Sequence, residues 1–169
     1  TYSTSLQFWL FLAFFAAFGN VARQLDRAGA AVVGYDVLFA DPSQDNAAGD
    51  QTLEAIANGG AGRFFFAATR MHPDYDDASS LRASQAPSAF RLTGDPQSDP
   101  KVALLLPYGT AMARNSAIVN VRRDEDGIMR DIPLYEAVGG WAIPSLPLRL
   151  ATATTGEPAQ RFPASVRPD

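Results

Sequence analysis

One run, Ala30 to Phe39 (AAVVGYDVLF), limits what this chain can fold into more than any other stretch. It is apolar almost without interruption, rich in Val, and stopped by Asp41-Pro42-Ser43. Such a run fits an inner strand covered on both faces, the situation of strands in parallel sheets. Downstream, Asn46 can cap a helix from Ala47 to Asn58. Asp50 stands in its first turn, where the helix dipole favours an acid, Leu53, Ile56 and Ala57 face inward, and Gly59 is a stop. Arg63 to Ala68 (RFFFAA) then reads as a second buried strand. Strand, helix and strand at this spacing predict one right-handed βαβ unit with parallel strands.

Antiparallel structure is expected to follow. Ile118–Arg122 and Ile128–Val138 flank Asp124-Glu125-Asp126-Gly127, the pattern of a tight hairpin, and Gly139-Gly140 turn the chain again into Trp141–Ile143. Pro133 cannot donate to a ladder and marks a bend or an edge. Ser145 caps a last helix, Leu146 to Thr155, with Pro147 in its first turn and Gly156 and Pro158 past its end. Between the two halves, Thr69 to Pro100 is polar and Pro-rich; a loop of this length is a lid, is mobile, or hides short structure. Val102–Leu106 reads as extended and Tyr108–Arg114 as a short helix.

Leu6 to Arg27 predicts a long helix ending at Gly29. Phe8, Phe11, Leu12, Phe15, Phe18, Ala22 and Leu25 recur on one face, while Trp9, Leu10, Ala13 and Phe14 make the back of its first half apolar too. A helix apolar all round is covered on both sides, whether by its own domain, by a second copy in a dimer, or beside a membrane. The Phe8–Phe18 stretch is eleven residues long, whereas a bilayer span needs about 20. The expected fold class is therefore α/β: a mixed sheet with a parallel βαβ unit, then an antiparallel hairpin and meander, between a long N-terminal helix and a C-terminal helix. A chain of 169 residues fits a single domain, here read as a segment of something larger.

Composition removes several kinds of chemistry. Without cysteine there is no disulfide, thiol nucleophile or cysteine zinc site, which suits an oxidising compartment without fixing one. A net charge of −4 makes nucleic acid a poor partner. The sole lysine, Lys101, follows no Gly-rich loop, and the glycines at 59, 60 and 62 stand after a helix and before a strand, the reverse of a dinucleotide-binding turn. His72, the single histidine, lies in the polar loop, and no Gly-x-Ser-x-Gly elbow accompanies it. Asp74/Asp76/Asp77 and Asp124/Glu125/Asp126 lack full calcium-loop spacing and read as turn formers. An acid/base pair of Asp36 with Glu136 is the one carboxylate arrangement to weigh. No catalytic residue, metal or cofactor is expected.

Asp36 carries more information. A carboxylate within an apolar strand is paired or faces a cavity, and ligands of parallel sheets gather beyond the carboxyl ends of the strands. Arg130 alternates with Ile128 and Ile132 and is the expected partner; Asn120 can complete the arrangement. Asp36, Asn120 and Arg130 thus form either a salt bridge fixing hairpin to sheet or the contacts of a ligand.

The segments Ala28–Ser43 (AGAAVVGYDVLFADPS), Ala117–Glu136 (AIVNVRRDEDGIMRDIPLYE) and Trp141–Ala151 (WAIPSLPLRLA) resemble the CHASE type 2 family, as does their order around the Asn46-capped helix. That resemblance implies a sensory input domain outside the membrane in bacterial cyclases, histidine kinases and related receptors. It implies attachment to the membrane through segments beyond this one, output inside the cell and no catalysis here. The family brings no general ligand, so the three candidates stand by position. The expected partners are a small-molecule or ionic stimulus and a second copy of the chain; the rival expectation is a purely structural interaction module.

Overall fold

The computed structural model of the chain describes residues 18–44, 46–60, 62–92, 98–121, 125–128 and 131–166. Helix α1 covers 18–27, the described part of the N-terminal helix. Strand β1 (Val33–Tyr35) pairs in parallel with β2 (Phe64–Arg70), Gly34 opposite Phe65. Helix α2 (Ala47–Gly59) joins them, capped by Asn46 Oδ1, which accepts from Gly49 N at 3.1 Å; Asp50 in its first turn accepts from Ser43 N at 2.7 Å. The βαβ unit is therefore as expected. β1 is shorter than the apolar run and, among the described residues, lies at the edge of the sheet, while β2 is the inner strand. The rest of the run leaves the sheet: Phe39 folds back onto the core, and its carbonyl accepts from Tyr108 N. Burial, which made the run apolar, does not require that it be strand.

β3 (Phe90–Arg91) lies in the polar stretch, followed by β4 (Leu104–Leu105), which pairs antiparallel with the far end of β2, Arg70 opposite Leu104. After α3 (Thr110–Arg114) comes β5 (Ser116–Ile118), parallel to β2 with Ala67 opposite Ala117. The Ile118 segment thus extends the parallel sheet and is not a hairpin arm; residues 122–124, 129 and 130 of the expected hairpin lie outside the described residues. β6 (Ile132–Pro133) pairs instead with β9 (Ser165–Val166), which puts Pro133 in a two-stranded edge ribbon. β7 (Tyr135–Val138) and β8 (Trp141–Pro144) make the meander through Gly139 and Gly140, whose φ of 59° and 88° meets the need of a tight antiparallel turn. β3 adds to β8 on its other side. Helix α4 (Leu146–Thr155) begins at the Ser145 cap.

The side chains of β2 alternate between two helical layers. Phe64 and Phe66 meet Tyr35, Leu53, Ala57 and Met112 beneath α2 and α3, joined there by Phe18 and Ala22 of α1. Phe65 and Ala117 meet Leu146, with Leu150 and Ala153, beneath α4. α4 crosses β1 so closely that a Cβ on Gly34 would stand 3.0 Å from Leu150 Cδ1. The carboxylate of Glu54 ties the upper helices together, accepting from Ala111 N at 2.6 Å and Met112 N at 3.2 Å.

Tyr35 is 6% exposed and stacks on Phe66 at 5.5 Å, yet its hydroxyl has no hydrogen-bond partner among the described residues. Burial raises its pKa. An unmade hydrogen bond on a buried group costs about 1–3 kcal/mol, so Tyr35→Phe is expected to stabilise the domain by about 1 kcal/mol. A urea midpoint equal to or below that of the parent chain would contradict this.

Candidate functional site

The parallel strands all point toward one edge of the domain, and there a cavity of about 360 Å³ opens between β1, β5, the start of α4 and β6. Gly34 borders it where Leu150 packs on β1, Ile118 and Val119 line it from β5 and the residue after it, and Leu146 and Leu150 line it from α4. Ile132 and Pro133 border it from the edge ribbon. Its polar groups are Asp36, Asn120 and Ser145.

Asp36 is the first residue past the carboxyl end of β1 and is exposed, not embedded as the apolar run suggested. The strand stops one residue earlier, so the carboxylate reaches the rim of the cavity. It makes no hydrogen bond or ion pair among the described residues. Arg130, its expected partner, lies outside the described residues. Glu136 sits on β7 and does not line this cavity.

Asn120 follows β5 by two residues, after Val119 N has bonded Ala68 O at 3.0 Å. Its side-chain amide then substitutes for a neighbouring strand: Oδ1 accepts from Arg70 N at 2.7 Å and Nδ2 donates to Arg70 O at 2.9 Å. Its oxygen and one of its two amide hydrogens are thereby engaged by the backbone of β2.

The other side of Arg70 closes a clasp. Nη1 and Nη2 donate to Asp76 Oδ1 and Oδ2, each at 2.7 Å, and Nη1 also donates to Met71 O and Ala103 O. Asp76 Oδ1 accepts from Ala103 N at 2.8 Å. The two side chains are 9% and 22% exposed. The Arg70 hydrogen bonds lower the Asp76 pKa against the opposing effect of burial, and the Ala103 N–H adds to the lowering. This clasp organises the polar stretch, which contains the short helical turns Pro73–Tyr75 and Ala83–Gln85. Sequence reasoning missed it and read Asp76 as one of a cluster of turn formers. An arginine at a strand end six positions before an acid was the only trace.

His72 is exposed and partners Asp74, with Nδ1 3.1 Å from Asp74 Oδ2. No group of metal-ligating side chains occurs among the described residues. A larger cavity, about 620 Å³, lies between α2 and α3. Its carboxylates are already committed, Asp50 to Ser43 N and Glu54 to the amides that open α3. The smaller cavity, whose acid has no partner among the described residues, is the better candidate.

A sheet with parallel strands β1, β2 and β5, covered by helices on both faces and with a cavity of about 360 Å³ where those strands end, defines a mixed α/β domain. The family model for the CHASE2 domain matches residues 16–166, and the chain belongs to that family, a family of extracellular sensory domains in signalling receptors. No curated protein and no solved structure matches the chain. Among the described residues no helix is long and apolar enough to cross a membrane.

Proposed function

We propose that this chain is the extracytoplasmic input domain of a bacterial transmembrane receptor, with a cyclase, histidine kinase or similar output, and that its stimulus binds in the cavity at the ends of β1 and β5. Asp36 and Asn120 are the proposed contacts, and Arg130 is a third by its place two positions before Ile132. The observation that carries the reading is the double engagement of Asn120, which lines the cavity and holds the backbone of Arg70. An occupant that favours one placement of Asn120 shifts the Arg70–Asp76 clasp with it, by no more than its differential affinity for the two arrangements. No catalytic step belongs to this segment. Signal passes to flanking membrane segments through the N-terminal helix and α4.

Ala22 is buried in its own domain and Phe18 packs partly buried against the same core; the apolar face that the sequence carries from Phe8 to Phe15 is the proposed seam with a second copy. Phe11→Glu with Phe15→Glu is expected to halve the sedimentation mass; an unchanged mass removes the dimer.

The site is tested by thermal-shift screening of the chain against small metabolites and ions. The expected result is a saturable rise in Tm that Val121→Trp abolishes, because Val121 is 56% exposed at the cavity and a bulky ring there blocks entry without disturbing the core. A flat response throughout would favour the structural interaction module.

A further inference from the structure

Resting on the reading of this cavity as the stimulus site, we propose that its outlet is the β6–β9 ribbon: a filled cavity sets β6 in place, and β6 holds β9 through the backbone. The walls of the cavity are unequally supported. Ile118 and Leu146 are fixed in the core, and Leu150 packs against Gly34 of β1. Ile132 and Pro133 are half-buried and belong to a two-stranded sheet that, among the described residues, joins neither of the others. Two paired strands alone are marginal in water, so this is the wall that yields.

The ribbon is tied to the body of the domain at one end. Leu134, 6% exposed, accepts from Ser145 N at 2.9 Å and donates its own N–H to Ala164 O at 2.8 Å. Ser145 caps α4 and bridges Ile118 of β5, so Leu134 is anchored to the scaffold. Antiparallel alternation makes Ile132 and Val166 the next hydrogen-bonded pair and leaves Pro133, opposite Ser165, in the pair that uses no N–H. The proline therefore costs the ladder no bond. Past Leu134 the ribbon borders the cavity through Ile132 and Pro133, and β9 is the one strand that β6 pairs with among the described residues. It has two states, paired and frayed. An occupant resting on Ile132 and Pro133 meets that wall only in the paired state, favours it by its differential affinity, and thereby fixes the course of the chain at Val166. Contact with two apolar side chains suffices, whatever charge the occupant carries. The described residues of α1 pack under the opposite face of the sheet and line no part of the cavity, so β9 is the direct way out.

The test supplies an occupant on a tether. The chain has no cysteine, so Val121→Cys, at a position 56% exposed beside the cavity, offers a single thiol. That thiol is capped with hexyl methanethiosulfonate or, as the control, with methyl methanethiosulfonate. The hexyl chain is expected to raise Tm by several degrees over the methyl cap and to slow hydrogen exchange at the Leu134 and Val166 amides about tenfold. Val166→Pro, which removes the N–H paired with Ile132, is expected to take away more than half of that rise in Tm. A rise with exchange in the ribbon unchanged, or a rise that Val166→Pro leaves intact, overturns the outlet while the cavity stands as a site. The exchange measurement needs no change in the ribbon and decides alone where Val166→Pro does not fold. No rise from the hexyl chain removes the outlet and the reading of the cavity together.

Discussion

Asp76→Ala is expected to destabilise the domain by about 3 kcal/mol, the lower part of the range for breaking a buried ion pair from one side. The reason lies in what remains. Arg70, 9% exposed, keeps its charge and loses both carboxylate bonds, retaining only the carbonyls of Met71 and Ala103. Ala103 N loses its acceptor in the same step. Asp76→Asn, which keeps one acceptor oxygen and loses the charge, should fall between. The pH dependence has a definite sign. Because the folded-state pKa of Asp76 is lowered, the clasp contributes fully above the ordinary carboxylate range, near pH 4, and its contribution disappears as pH falls through the lower folded value. Urea titrations between neutral and acidic pH should show the difference between parent and Asp76→Ala shrinking toward the acid end. A loss below about 1 kcal/mol at neutral pH, the range of exposed pairs, would mean that water screens the clasp and that it does not hold the 71–103 region.

How much of this was legible in the sequence depends on how local each signal is. α2 and α4 were readable almost to their ends because the caps Asn46 and Ser145, the acid at Asp50 and the proline at Pro147 act within one turn of the residues they stop or start. β2 was readable because both of its faces are buried. β5 was not: Asp124-Glu125-Asp126-Gly127 is a strong turn signal nearby, whereas the true partner of Ala117 is Ala67, far back in the chain, and nothing local to Ala117 names it. The end of β1 fell inside an apolar run because Phe39 is buried by folding back onto the core, and an apolar run does not say which backbone shape buries it. Of the site, the position of Asp36 toward the carboxyl end of a parallel strand was legible from topology alone; Asn120 was read as part of a hairpin arm, whereas it follows a strand of the parallel sheet. The exposure of Asp36 was not legible, since that depends on the strand stopping at Tyr35. The Arg70–Asp76 clasp had no sequence signature because its geometry is completed by the backbone of Ala103.

The second large effect is expected at Asn120. Asn120→Ala removes the acceptor of Arg70 N and the donor to Arg70 O together. Two partly buried backbone groups left without partners predict a loss of about 2–3 kcal/mol, measured by urea denaturation. Asn120→Asp separates the two bonds: the acceptor for Arg70 N survives, but a carboxylate replaces the donor to Arg70 O, so oxygen faces oxygen and the loss should be no smaller than for alanine. Asn120→Ser, too short to span both groups, should behave like alanine. The informative measurement is the double variant with Asp76→Ala. Asn120 grips the backbone of Arg70 while Asp76 grips its guanidinium, so each substitution loosens the residue that the other depends on. The two losses should therefore sum to more than the double variant shows, by about 1 kcal/mol, within the coupling found between residues sharing a partner. Additivity to within about 0.5 kcal/mol would show that the two grips are independent. A change in Asn120 at the cavity would then have no route through Arg70 to the Asp76 clasp.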